Sequence, residues 1–110
     1  MKSSINAGIS AKELAIRLQQ PGAPLLLDCR EADEWRHCRI EGARQMPLSD
    51  IQRRVHELDR GQQIVVYCHH GVRSLKVAEY LVGKGFTRVA NLAGGIDAWS
   101  LHVDSRVPRY

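Results

Sequence analysis

The sequence predicts an α/β domain with a mainly parallel central sheet, on three observations. Short apolar runs alternate with stretches of helical spacing along the chain. One of those runs, Ile64-Val65-Val66-Tyr67, is apolar throughout and mostly β-branched, as expected of a strand covered on both faces. Polar residues follow directly on two of the runs, at Asp28 and Arg30 and again from Cys68 to Ser74. If those two strands are parallel, both groups lie at one sheet edge, where open α/β sheets bind ligands.

Taken in order, residues 1–9 show little pattern and read as a flexible lead-in. Ser10-Ala11-Lys12-Glu13 matches a capping box opening a helix to about Gln19, with Leu14, Ala15 and Leu18 inward and Pro21-Gly22 ending it. Leu25-Leu26-Leu27 is too short and uniform for a helix and reads as a buried strand delivering Asp28 and Arg30. Ala32 to His37 is expected to form a short helix with Trp35 inward, and Arg44 to Met46 a brief strand stopped by Pro47. Ser49-Asp50-Ile51-Gln52 is a second capping-box match, starting a helix to about Leu58. Beyond the central strand, Ser74 onward has helical spacing with Leu75, Ala78, Leu81 and Val82 on one side, halted by Gly83 and Gly85. Arg88 to Leu92 reads as a further strand, Gly94-Gly95 as a tight turn, and Ile96 to Trp99 as a short helix. Leu101 to Tyr110 has no period and reads as a tail.

The 110 residues fit one domain, 1–110, with no repeat or low-complexity segment. A net charge of +4 without a dense Lys/Arg block reads as a solvated surface rather than a nucleic-acid face. No apolar run approaches the roughly 20 residues of a membrane span. The first nine residues lack the apolar core of a secretory signal. Three cysteines at irregular spacing make no disulfide framework, so a reducing cytoplasmic setting is expected.

The chemistry concentrates in Cys68-His69-His70-Gly71-Val72-Arg73-Ser74. Between a strand and a helix, backbone N–H groups after Cys68 can curl inward as an anion-binding nest, and Arg73 adds a positive charge. A free thiol with pKa about 8.5 is only roughly 3% thiolate at pH 7, whereas one near 6.5 is roughly three-quarters thiolate. A helix terminus, worth up to about 2 kcal/mol, supplies most of that shift. Cys68 therefore reads as a nucleophile in an anion cradle rather than as an inert core thiol.

These residues carry a family resemblance. Tyr67 to Ser74 resembles the active-site loop of the rhodanese-like sulfurtransferases. Asp28-Cys29-Arg30-Glu31, Ile40-Glu41-Gly42-Ala43 and Leu92-Ala93-Gly94-Gly95-Ile96-Asp97-Ala98-Trp99 are similar to three further segments of that family, in the same order. One departure is Cys38-Arg39-Ile40, where many members have Gly-His-Ile. The resemblance implies a sheet of about five strands with helices on both faces. It also implies a double displacement: Cys68 takes a sulfane sulfur from thiosulfate or a persulfide and passes it to cyanide or a thiol. Backbone N–H groups from His69 to Ser74 would hold the transferred sulfur's charge, with no metal or other cofactor.

Six residues run from Cys68 to Arg73, one fewer than in the related phosphatases of the cell-division-cycle type. A phosphoryl group needs a wider cradle, so the loop favours sulfur transfer over a phosphatase or arsenate-reductase-like activity. A persulfide carrier fed by a partner protein is the main alternative, and the carboxyl-terminal segment, similar to bacterial rhodanese tails, points weakly to a sulfur-relay partner. Arg73 is either an anion clamp or a charge on the helix's first turn, where the dipole disfavours a cation and so favours a specific role. His69 and His70 read as loop lining; adjacent histidines lack a chelating helical spacing. Asp28 and Arg30 are expected to brace the edge through ion pairs. Cys29 and Cys38 read as buried structural thiols, with Cys29 alternatively a resolving thiol for Cys68. Trp35, Trp99 and Phe86 read as core, and His37, His56 and His102 join no constellation.

Overall fold

A computed structural model describes residues 8–110. Among them four parallel strands form one sheet: β1 (Leu25–Asp28), β2 (Arg44–Gln45), β3 (Ile64–Tyr67) and β4 (Val89–Asn91), in the order β2-β1-β3-β4. Five helices accompany them: α1 (Ala11–Leu18), α2 (Ala32–His37), α3 (Ile51–Arg54), α4 (Val72–Gly83) and α5 (Gly95–His102). The expected fold class holds, with four strands in place of about five. Beside β4, Ile9 makes only a single parallel bridge to Leu92, too little for a fifth strand.

The sheet separates two apolar layers, as its alternating side chains dictate. Leu27, Cys29, Ile64, Val66 and Cys68 pack with Ile51, Val77, Ala78, Leu81 and Phe86, so α3 and α4 cover this face. Leu26, Val65 and Tyr67 pack with Leu14, Ile96 and Trp99, so α1 and α5 cover the other. Trp99 and Phe86 are core residues as expected.

Local chemistry sets the elements. Ser10 Oγ accepts the Glu13 N–H at 3.1 Å, capping α1 as the sequence predicts. Three expectations fail. Ser49 makes no cap; its hydroxyl donates instead to the Glu31 carboxylate, and the predicted helix breaks into α3 between single 3₁₀ turns at Leu48–Asp50 and Val55–Glu57. Trp35 is half-buried and lies under the Arg39 guanidinium at 4.6 Å, because α2 buries no residue. Leu75 is 42% exposed; the inward stripe of α4 is Ser74, Val77, Ala78 and Leu81, rotated by one position from the expected one. No helix among the described residues is long and apolar enough to cross a membrane.

Candidate active site

β1 and β3 run parallel with Asp28 paired to Tyr67, so Cys29 and Cys68 are the next residues out of the sheet on neighbouring strands. The chain leaves β1 toward β2 on one side and β3 toward β4 on the other. The crevice between the ends of β1 and β3 is therefore the topological switch point.

Cys68 lies at the bottom of that crevice with no exposed surface. The Gly71 and Ser74 N–H groups both donate to its Sγ, at 3.1 and 3.4 Å. Gly71 adopts φ +106°, which only glycine reaches readily, and this turn aims its N–H back at the sulfur before α4 begins. The Ser74 hydroxyl lies 3.3 Å from Sγ and donates to Asn91 Oδ1 at 2.5 Å; its single proton serves one neighbour at a time. Asn91 Nδ2 in turn donates to the Gly71 carbonyl at 3.2 Å, tying the loop to β4.

The loop stands on α5. The Ile96 and Asp97 N–H groups donate to the Cys68 and His69 carbonyls at 2.9 and 3.1 Å. Gly94 and Gly95 carry φ of +77° and +62°, and a Cβ on Gly95 would lie 2.5 Å from the Cys68 carbonyl oxygen. The Gly-Gly pair is thus what lets a helix terminus reach the loop.

These surroundings shift the two thiols in opposite directions. The Cys29 thiol beside it, then the Ser74 hydroxyl and the Ser74 and Gly71 N–H groups, hold the Cys68 thiol well below the usual range against the opposing effect of burial. Cys29 is pushed up, first by the neighbouring Cys68 sulfur and second by burial. The two shifts favour the thiolate at Cys68 over Cys29.

The ion pairs run around the rim. Asp28 and Arg30 are both fully buried, with Arg30 Nε and Nη2 on the carboxylate at 3.0 and 2.7 Å. Arg30 Nη2 also donates to the Cys38 carbonyl at 2.6 Å, and Nη1 to the Tyr110 hydroxyl at 2.8 Å. That hydroxyl donates to Glu34 Oε2 at 2.8 Å, and Glu34 takes both Arg73 nitrogens at 2.7 and 2.9 Å. Arg73 therefore ties α4 to α2, its charge matched by a carboxylate, rather than standing free over the cradle. Tyr110 also stacks on His69, 3.8 Å between centroids at 4°. His69 is half-buried, while His70 and Val72 are exposed on the rim. Cys38 belongs to the opposite layer.

The arrangement brings Cys68 together with Gly71 and Ser74, with the buried Asp28–Arg30 ion pair on the neighbouring strand end. Among the described residues no three His, Cys, Asp or Glu side chains are grouped as metal ligands. A surface cleft of about 740 Å³ lies elsewhere, among Leu18, Arg39, Trp99 and Val107. Sequence reasoning missed Asn91, Glu34 and Tyr110. Asn91 carried a signal, being the one polar residue in an otherwise apolar strand; Tyr110 carried none, since the tail has no period.

Glu34 is held down to about 2 from an ordinary 4.5, first by the Arg73 guanidinium. A carboxylate with a lowered folded pKa contributes stability above its unfolded pKa and loses it as pH falls through the folded one. Glu34→Gln is therefore expected to flatten the loss of stability between pH 4.5 and about 2, read as denaturation midpoints across that range. An unchanged acid limb would remove Glu34 as its source.

Residues 10–102 match the family model described as Rhodanese-like domain. The chain belongs to that family. A protein named Sulfurtransferase from Allochromatium vinosum is 37% identical to this rhodanese-like chain over 94 residues, spanning 86% of the chain and 88% of the relative. Thiosulfate sulfurtransferase GlpE from Coxiella burnetii is 32% identical over 78 residues, spanning 71% and 73%. The crystal structure of a rhodanese-like domain protein from Staphylococcus aureus superposes with a TM-score of 0.82 at 27% identity, covering 94% of the chain and 97% of that protein. These relatives support sulfur transfer of the rhodanese type as the general chemistry.

Proposed function

We propose that this rhodanese-like domain is a sulfurtransferase that carries sulfane sulfur as a Cys68 persulfide, from thiosulfate or a persulfide donor to cyanide or a thiol. The observation that carries the reading is the pair of N–H groups, from Gly71 and Ser74, aimed at a thiol held low at the head of α4. The Cys68 thiolate attacks the outer sulfur of thiosulfate; the sulfur–sulfur bond of the donor breaks and sulfite leaves with its electron pair. The acceptor's lone pair then attacks the terminal sulfur of the persulfide, and Cys68 departs as the thiolate it began as. His69 to Ser74 line the cradle, with the backbone supplying donors. Asp28 and Arg30 act as positioning residues. The named activity of the Coxiella burnetii relative supports thiosulfate as the small donor. Because Cys68 has no exposed surface, a donor reaches it only as the loop rim shifts.

Brief thiosulfate treatment with acid quench is expected to add one sulfur atom to the peptide bearing Cys68, and cyanide to remove it as thiocyanate. No added sulfur at any time, in wild type or in Cys29→Ser, would overturn thiosulfate as the donor. Loading by a persulfidated protein in that case would make the domain a carrier fed by a partner.

A further inference from the structure

Cys29 has no part in that double displacement, yet its position is as well defined as that of Cys68. Its N–H donates to the Tyr67 carbonyl at 3.1 Å, extending the β1–β3 ladder one residue past the Asp28–Tyr67 pair. Neighbouring strands lie about 4.7–4.9 Å apart, inside the roughly 4.4–6.8 Å between Cα atoms that a disulfide spans. Side chains alternate along a strand, and Leu27, Cys29, Val66 and Cys68 all fall in one apolar layer while Leu26, Val65 and Tyr67 fall in the other. Both thiols therefore project to the same side of the sheet. Both are free and fully buried, so the thiol nearest a Cys68 persulfide is inside the protein.

We propose that Cys29 resolves the Cys68 persulfide, releasing hydrogen sulfide anion and leaving a Cys29–Cys68 disulfide. The inference rests on the persulfide reading above. Cys29 Sγ attacks the inner sulfur, Cys68 Sγ; the Sγ–Sγ bond forms and the bond to the outer sulfur breaks. The outer sulfur leaves with that electron pair and the proton Cys29 held, so it departs as HS⁻. The sulfane sulfur is reduced and the cysteine pair oxidised. Passing that proton to the anionic outer sulfur makes Cys29 the thiolate that attacks, since the thiolate is the nucleophile. An internal thiol also needs no encounter step, which gives it a large effective concentration over external acceptors at a buried sulfur. Repeated turnover requires a dithiol reductant to reopen the disulfide. The domain then has two exits for one persulfide: transfer to an external acceptor, or reductive release as sulfide.

The test uses reduced full-length chain, freed of reductant, incubated for hours with thiosulfate and no acceptor. Wild type is expected to release about one sulfide per chain, lose two of its three free thiols and yield a linked Cys29–Cys68 peptide. Cys29→Ala and Cys29→Ser are expected to keep the added sulfur on Cys68 and release none. A wild type that holds its added sulfur with Cys29 still alkylatable would overturn this inference alone. No added sulfur in wild type or in the Cys29 variants would overturn the persulfide reading and this inference with it.

Discussion

Cys68→Ser is expected to lower thiosulfate:cyanide turnover by about a thousandfold or more, the scale seen when a covalent nucleophile is removed. Serine keeps the size of the side chain and can still accept from the Gly71 and Ser74 N–H groups, so the cradle loses little of its packing. Its hydroxyl is not ionised at neutral pH, and its oxygen gives no persulfide to hand on. The loss should fall on kcat rather than on folding, with the denaturation midpoint close to wild type. Steady-state thiocyanate formation checks the rate and a urea titration checks the fold. A variant retaining a tenth of wild-type turnover would remove Cys68 as the nucleophile.

Asp28→Ala is expected to cost about 3–5 kcal/mol, because it strands the buried Arg30 guanidinium without its counter-ion. That is a large share of the roughly 5–15 kcal/mol that holds an ordinary domain together. Both side chains are fully buried, and Arg30 also carries the Cys38 carbonyl and the Tyr110 hydroxyl, so no water can take over the lost carboxylate without opening the rim. Replacing both partners by apolar residues, Asp28→Leu with Arg30→Met, is expected to cost much less than the single change, since no charge is then left in the interior. Urea unfolding midpoints of the two variants make the comparison. Equal losses would mean that the pair acts by shape and not by charge.

What the sequence revealed followed from short-range rules. The apolar run Ile64 to Tyr67 announced a doubly covered strand, and Ser10 with Glu13 announced the start of α1; both depend on residues close in the chain. The Cys68 loop was legible for the same reason, since its donors lie within six residues of the sulfur. What stayed hidden depends on distant partners. Ser49 matched a capping box, but Glu31 reached its hydroxyl first. Arg73 looked like a free charge over the cradle because Glu34, 39 positions earlier, gave no sign of facing it. Tyr110 is joined to Arg30 and Glu34 across most of the chain. The Cys29–Cys68 neighbourhood was only an alternative until parallel pairing fixed the register.

The order of assembly around Cys68 has a consequence for the chain as it is made. Every strand pairing here is parallel, so each must close a long crossover rather than a hairpin, and such folds form late and slowly. The groups that orient the Cys68 loop come from Asn91, Ile96 and Asp97, all synthesised after it. A nascent or half-folded chain therefore presents an ordinary thiol, mostly protonated and slow to react. Nucleophilic sulfur appears only once the C-terminal third has docked. The nucleophilic strength of Cys68 is in this way coupled to completion of the fold.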